Sequence, residues 1–129
     1  MADYSVIKTT ILLLVSDPLV RSVLQETLEE EGYTVRATGG LGEAVDRLKE
    51  SAPDLLIIRT YVESMPGHEA AMYLRTKCPT MRVLMVGGLL DDKRLQYRAE
   101  LQRFAVFPKP YSAADLMKKV KDVLSEPRG

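Results

Sequence analysis

The sequence predicts an α/β fold, a (βα)5 doubly wound parallel sheet of five strands, and three observations carry that prediction. The first is a pair of unbroken apolar runs, Thr10–Val15 (TILLLV) and Leu55–Ile58 (LLII), neither of which alternates. A half-exposed strand alternates, whereas a strand buried between two helix layers is apolar throughout. The second is that strand-like runs and helix-periodic segments follow one another along the whole chain with short connections. Regular strand–helix alternation requires a parallel sheet with right-handed crossovers and helices on both faces. The third is that polar residues stand where strands stop: Ser16-Asp17 after the first, Arg59 after the third, Lys109 after the fifth. The carboxyl ends of strands are where open α/β sheets build their sites, at the point where strand order reverses.

Each element has a local reason. The first strand stops at Ser16-Asp17-Pro18, and Asp at an N-cap with Pro at the first helical position starts a helix. That helix puts Val20, Val23, Leu24, Thr27 and Leu28 on one face, with Arg21, Gln25, Glu26 and Glu29 elsewhere, and Gly32 ends it. Tyr33–Ala37 (YTVRA) alternates and is β-rich, as an edge strand does. Gly39, Gly40 and Gly42 lead into a short helix with Leu41, Ala44, Val45 and Leu48 inward. Pro53-Asp54 excludes helix and opens the third strand, which halts at Arg59; a polar loop then runs to the Pro66-Gly67 turn. Gly67–Lys77 is a helix burying Ala70, Ala71 and Leu74, and Cys78-Pro79 ends it.

Arg82–Val86 (RVLMV) is the fourth strand, stopping at Gly87-Gly88. Asp91–Gln102 is a charged helix with a thin apolar face of Leu95, Tyr97, Ala99 and Leu101. Phe104–Phe107 is the fifth strand and leads into Lys109-Pro110. Ser112 and Asp115 have capping-box spacing before a last helix with Leu116, Val120, Val123 and Leu124 inward and Lys118, Lys119, Lys121 and Asp122 outward. With 129 residues and no repeat or linker, residues 1–129 read as one domain with a core over about 9–125.

Composition narrows the function classes. Lys+Arg and Asp+Glu are both 18, which gives no support for a nucleic-acid or membrane surface. A single cysteine, Cys78, cannot form an internal disulfide and fits a reducing compartment. The N-terminus MADYSVIKTT is not a signal peptide, and no apolar run approaches the ~18 residues of a membrane span, so a cytoplasmic location is expected. His68 has no ligand spacing around it, so a surface role is expected rather than metal ligation. Cys78 has no positioned base and is expected to be inert. Gly39-Gly40-Leu41-Gly42 is not a dinucleotide fingerprint, and Lys118–Lys121 reads as a solvated helix face.

With these residues in place, the pattern resembles the receiver domain of two-component response regulators over nearly the whole chain, which implies the sheet order 2-1-3-4-5. In that family an acidic pair after the first strand holds Mg2+, and an aspartate ending the third accepts phosphate. A Thr or Ser ends the fourth strand, and a Lys-Pro follows the fifth. Here the acidic pair stands as Ser16-Asp17, so its first member is missing. The family's PDLxxxD run matches Pro53–Arg59, and its glycine eight residues after the acceptor matches Gly67, so the acceptor position falls on Arg59. The Thr/Ser position falls on Gly87, the lysine on Lys109 in Lys109-Pro110-Tyr111, and the aromatic switch position on Val106.

The resemblance therefore implies a receiver scaffold with a degenerate phosphorylation pocket: Ser16, Asp17, Arg59, Gly87 and Lys109. Mg2+ is a hard cation that needs carboxylate oxygens, and only Asp17 of the usual three carboxylates remains. Arg59 offers no nucleophilic oxygen and sets a fixed positive charge against the metal, a repulsion of several kcal/mol at ~4 Å and an effective dielectric near ~20. No catalytic residue, no cofactor and no Mg2+ binding of consequence are expected, and the domain is expected not to be an enzyme. Arg59 is expected to pair with Asp17, with Lys109 joining them, as an internal substitute for the metal and phosphate.

Gly87 and Val106 lack the groups that relay phosphorylation, so a single fixed conformation is expected. The family's partner surface maps to Lys93, Arg94, Tyr97, Arg98 and Tyr111. It implies protein partners in a signalling pathway, a kinase or an output domain, and a homodimer through the fourth and fifth helices. The rival expectation is a flavodoxin-like ligand-binding or enzymatic domain using the crevice where strand order switches. It is disfavoured by the absence of tryptophan and of a phosphate-cradling loop after the first strand. Phosphoryl chemistry on Ser16 or Asp17 is disfavoured by the missing metal site.

Overall fold

The apolar runs become the central strands of the sheet. The computed structural model describes residues 9–86, 104–107 and 112–126. Gly87, the helix expected over Asp91–Gln102 with Lys93, Arg94, Tyr97 and Arg98, and Lys109 to Tyr111 lie outside the described residues. In chain order the elements are β1 (Thr10–Leu14), α1 (Pro18–Glu30), β2 (Thr34–Thr38), α2 (Leu41–Glu50) and β3 (Leu55–Arg59). They continue with β4 (Tyr61–Val62), β5 (Met65–Pro66), α3 (Gly67–Lys77), β6 (Arg82–Val86), β7 (Ala105–Phe107) and α4 (Ala113–Ser125).

β1, β2, β3, β6 and β7 form one parallel sheet in the order β2-β1-β3-β6-β7. Counting only the strands of this sheet, that is the expected order 2-1-3-4-5. The central register runs Leu13 to Ile57 to Leu84. Alternate residues of the unbroken runs feed two separate cores, which is why neither run alternates in polarity. Leu12, Leu14, Leu56 and Ile58 pack with Ala44 of α2 and with Ala70, Ala71 and Leu74 of α3. Ile11, Leu13 and Ile57 pack on the opposite face with Leu24 and Leu28 of α1 and Leu116 and Val120 of α4. Asp54 pins the start of the sheet: its N–H donates to Thr10 O at 2.8 Å, and its Oδ2 accepts the Thr10 N–H at 2.9 Å.

The helix ends are closed as their residues dictate. Gly32 sits at φ 98, its N–H donates to Glu29 O at 3.0 Å, and Tyr33 N–H donates to Leu28 O at 3.3 Å. These are the two hydrogen bonds of a Schellman stop. Because Tyr33 is consumed there, the edge strand begins one residue later than the alternation predicts and runs to Thr38, whose hydroxyl donates to Leu13 O at 2.8 Å. Ser112 caps α4 by accepting the Asp115 N–H at 3.1 Å.

Two expectations change. Val23 is 55% exposed and does not join the α1 core face, which narrows to Leu24 and Leu28 with Val20 alongside. The polar loop after β3 contains an antiparallel β4–β5 hairpin pairing Tyr61 with Pro66 and Val62 with Met65. Its strands are two residues long, too short to produce a period in the sequence. Arg36, in register with Leu12 on the edge strand, buries its Nη1 without a hydrogen-bond partner among the described residues; an inward-facing cation on an edge strand discourages pairing with another chain. Among the described residues no helix is long and apolar enough to cross a membrane.

Candidate functional site

The site lies where β1 and β3 end side by side. Beyond Leu14, the Val15 N–H donates to Thr38 O at 3.1 Å, holding the chain in the sheet until Ser16 turns it. Asp17 is then the N-cap of α1, with an extended backbone (φ −71, ψ 118) and Pro18 at the first helical position. Its Oδ1 accepts the N–H groups of Leu19 at 2.9 Å and Val20 at 3.1 Å. Arg21, one turn into α1, folds back over the turn and donates from Nη1 to Val15 O at 2.9 Å and Ser16 O at 3.4 Å.

Arg59 is the last residue of β3 and is half-buried, next to Ile58 at 0% exposure. Thr60 is buried behind it, and the chain enters the β4–β5 hairpin. At the hairpin tip Glu63 has φ 58, and its N–H donates to Ser16 Oγ at 3.1 Å. The hairpin returns so closely that Gly67 N–H donates to Thr60 O at 2.5 Å. A Cβ on Gly67 would lie 2.0 Å from Arg59 O, so no residue with a side chain fits here without moving backbone. Ser16, Asp17, Arg59, Thr60, Tyr61 and Glu63 line a pocket of about 330 Å³ between these segments.

The expected Asp17–Arg59 pair is not formed. Both residues line the pocket, but among the described residues the ion pairs are Arg47–Glu50, Lys49–Asp46 and Lys121–Glu31. The reason is local: the Asp17 carboxylate is directed onto the orphan N–H groups of α1, two and three residues on in the chain, and capping holds it there. His68 is a second correction. It is only 4% exposed at the start of α3, because Gly67 draws the helix N-terminus in under the hairpin. Cys78 is buried and free. Val106 is half-buried on β7, opposite Met85 and against the α2–α3 core. Among the described residues no three His, Cys, Asp or Glu side chains converge to hold a metal ion.

Two site residues escape sequence reasoning. Arg21 sits in the first turn of a helix, where the macrodipole disfavours a cation. A cation placed there needs another partner, and that was the available signal. The Ser16–Glu63 bond spans 47 positions and has no sequence signature at all.

Comparison with known proteins gives this geometry a family. Residues 11–121 match the response regulator receiver domain model. The chain is 28% identical over 115 residues to sporulation initiation phosphotransferase F of Bacillus subtilis, covering 88% of this chain and 92% of that protein. It is 26% identical over 119 residues to sensor kinase CckA of Brucella abortus, covering 91% of this chain but only 13% of the kinase. Similarly, the probable C4-dicarboxylate response regulator DctR of Priestia megaterium is 35% identical over 96 residues, covering 70% of this chain and 42% of that protein. Against several of its relatives the chain thus spans only part of their length.

Among solved structures, a CheY-like receiver domain protein from Methanospirillum hungatei JF-1 superposes with a TM-score of 0.83 at 24% identity, covering 92% of this chain and 94% of that one. A putative response regulator from Chloroflexus aurantiacus gives 0.81 at 23%, covering 93% and 100%. At that identity the likeness establishes the fold, and the family match establishes the relationship. The chain belongs to the response regulator receiver domain family.

Proposed function

We propose that this domain is a phosphorylation-independent receiver, an interaction module of a two-component pathway that carries no phosphoryl group of its own and is not an enzyme. The observation that carries this is Arg59 at the carboxyl end of β3, in the pocket it shares with Ser16 and Asp17. The close approach of Gly67 to the Arg59 carbonyl supports taking Arg59 as the acceptor position, since it explains physically why a glycine stands eight residues on. A guanidinium cannot attack phosphorus and stays charged in a protein.

The residues present do not fit Mg2+. The ion needs several carboxylate or phosphate oxygens, whereas this pocket offers Asp17, one of whose oxygens serves α1, and the exposed Glu63, beside the positive charge of Arg59. Ser16 takes the place of the first acidic residue and instead holds the hairpin by a neutral hydrogen bond. The pocket is therefore pre-formed without a bridging metal, which favours one constitutive conformation. Its partners are proteins of the pathway, a kinase or an output domain, in a cytoplasmic setting.

Incubation with acetyl phosphate and Mg2+, followed by intact mass measurement, tests this directly. No added phosphoryl mass is expected. A stoichiometric adduct mapping to residues 16–63 would overturn it.

A further inference from the structure

The pocket between β1 and β3 contains two hydrogen-bond donors that the described residues leave unused. Arg59 is half-buried, and its guanidinium makes no ion pair or hydrogen bond among the described residues. A guanidinium carries five N–H donors, and a partly desolvated, unpaired charge favours the arrival of a counter-charge. Ser16 supplies the second donor. Its oxygen already accepts the Glu63 N–H at 3.1 Å, which leaves the hydroxyl proton to donate elsewhere, and no acceptor for it is found among the described residues. Asp17 lines the same pocket but makes no ion pair with Arg59 among the described residues; its Oδ1 accepts the N–H groups of Leu19 and Val20.

We propose that this pocket is a carboxylate site in which Arg59 and Ser16 together bind an acidic side chain presented by a partner protein. This rests on the interaction role proposed above and adds the chemistry of the partner. The guanidinium fork matches a carboxylate through two parallel N–H···O bonds. The rim selects a monoanion: Asp17 and Glu63 are exposed carboxylates lining the same pocket, so a dianionic phosphate meets more repulsion than a carboxylate does. The pocket volume of about 330 Å³ admits the end of an Asp or Glu side chain. The hairpin is already latched to Ser16, so the site needs no closure step before it binds.

The test is an amide NMR titration of the full chain with sodium acetate, with sodium chloride at equal ionic strength and sodium phosphate as parallel arms. Saturable acetate shifts are expected at the amides of Ser16, Thr60 and Glu63, absent with chloride. Arg59→Gln should weaken them about tenfold or more, the loss expected of a charged hydrogen bond. Arg59→Lys, which keeps the charge without the fork, should fall between the two and serves if Arg59→Gln fails to fold. Acetate shifts no larger than chloride shifts, or unchanged in Arg59→Gln, would overturn the site. Arg59-dependent binding of phosphate in preference to acetate would overturn the carboxylate assignment. An Mg2+ arm separates the two proposals: Mg2+ shifts at Asp17 contradict the metal-free receiver, whereas acetate silence with Mg2+ silence contradicts only the carboxylate site.

Discussion

The backbone N–H of Glu63 donates to the hydroxyl oxygen of Ser16 at 3.1 Å, joining the hairpin after β3 to the turn after β1. Glu63 has to hold φ 58 to make that bond, a conformation that non-glycine residues adopt at a cost. Ser16→Ala should therefore loosen the hairpin locally. The expected loss is roughly 0.5–1.5 kcal/mol, the net worth of one hydrogen bond. Hydrogen exchange should locate it: the Glu63 amide should exchange faster while Ile57 in β3 stays protected. Uniform acceleration across β3 would show that Ser16 supports the sheet rather than the hairpin.

Gly67→Ala should be far more damaging. The added Cβ would meet Arg59 O at 2.0 Å and Thr60 O at 2.9 Å, both backbone atoms that cannot rotate away. Overpacking a tight site costs about 1–3 kcal/mol, and this contact belongs at the top of that range or beyond. Urea denaturation measures it; a loss below ~0.5 kcal/mol would mean that β3 and α3 separate easily, against the observed packing.

Asp17→Ala should cost about 1 kcal/mol, the usual worth of an N-cap. Removing one partner of a buried ion pair costs ~3–5 kcal/mol instead. Thermal or chemical denaturation separates the two magnitudes. An effect in the higher range would mean that Asp17 and Arg59 pair in solution, contrary to the capping geometry.

These predictions also mark what the sequence could and could not reveal. The strands were legible because Leu12 to Leu14 and Leu55 to Ile58 are buried on both faces, and burial on both faces leaves an unbroken apolar run. Helix ends were legible because Asp17-Pro18 and Gly32 act through their own backbone chemistry. The Asp17–Arg59 pair was wrongly expected because convergence at one sheet edge says nothing about competition. An acceptor two residues from orphan N–H groups reaches them before it reaches a distant cation. His68 was misplaced on the surface because its burial follows from the Gly67–Thr60 contact, which only the closed hairpin creates.

Tyr33 gives a pH prediction. Burial, with the Glu31 carboxylate adding to it, raises its phenol above 10.0 in the folded state. A raised folded pKa means that the folded chain keeps the proton longer than the unfolded chain does. The stabilisation is thus fully present below pH 10.0 and is lost as pH rises through the folded value. Tyr33→Phe should flatten that alkaline loss in chemical denaturation across pH 9–11. An unchanged slope would assign the loss to other groups.

The most direct test of the central claim is an amide NMR titration with Mg2+ followed by beryllofluoride, a mimic of the phosphoryl group. With Arg59 ending β3 and Asp17 occupied by α1, no saturable shifts are predicted at Ser16, Asp17, Arg59 or Thr60. Saturable shifts clustered at these residues would contradict the claim and identify the domain as a working phosphate switch.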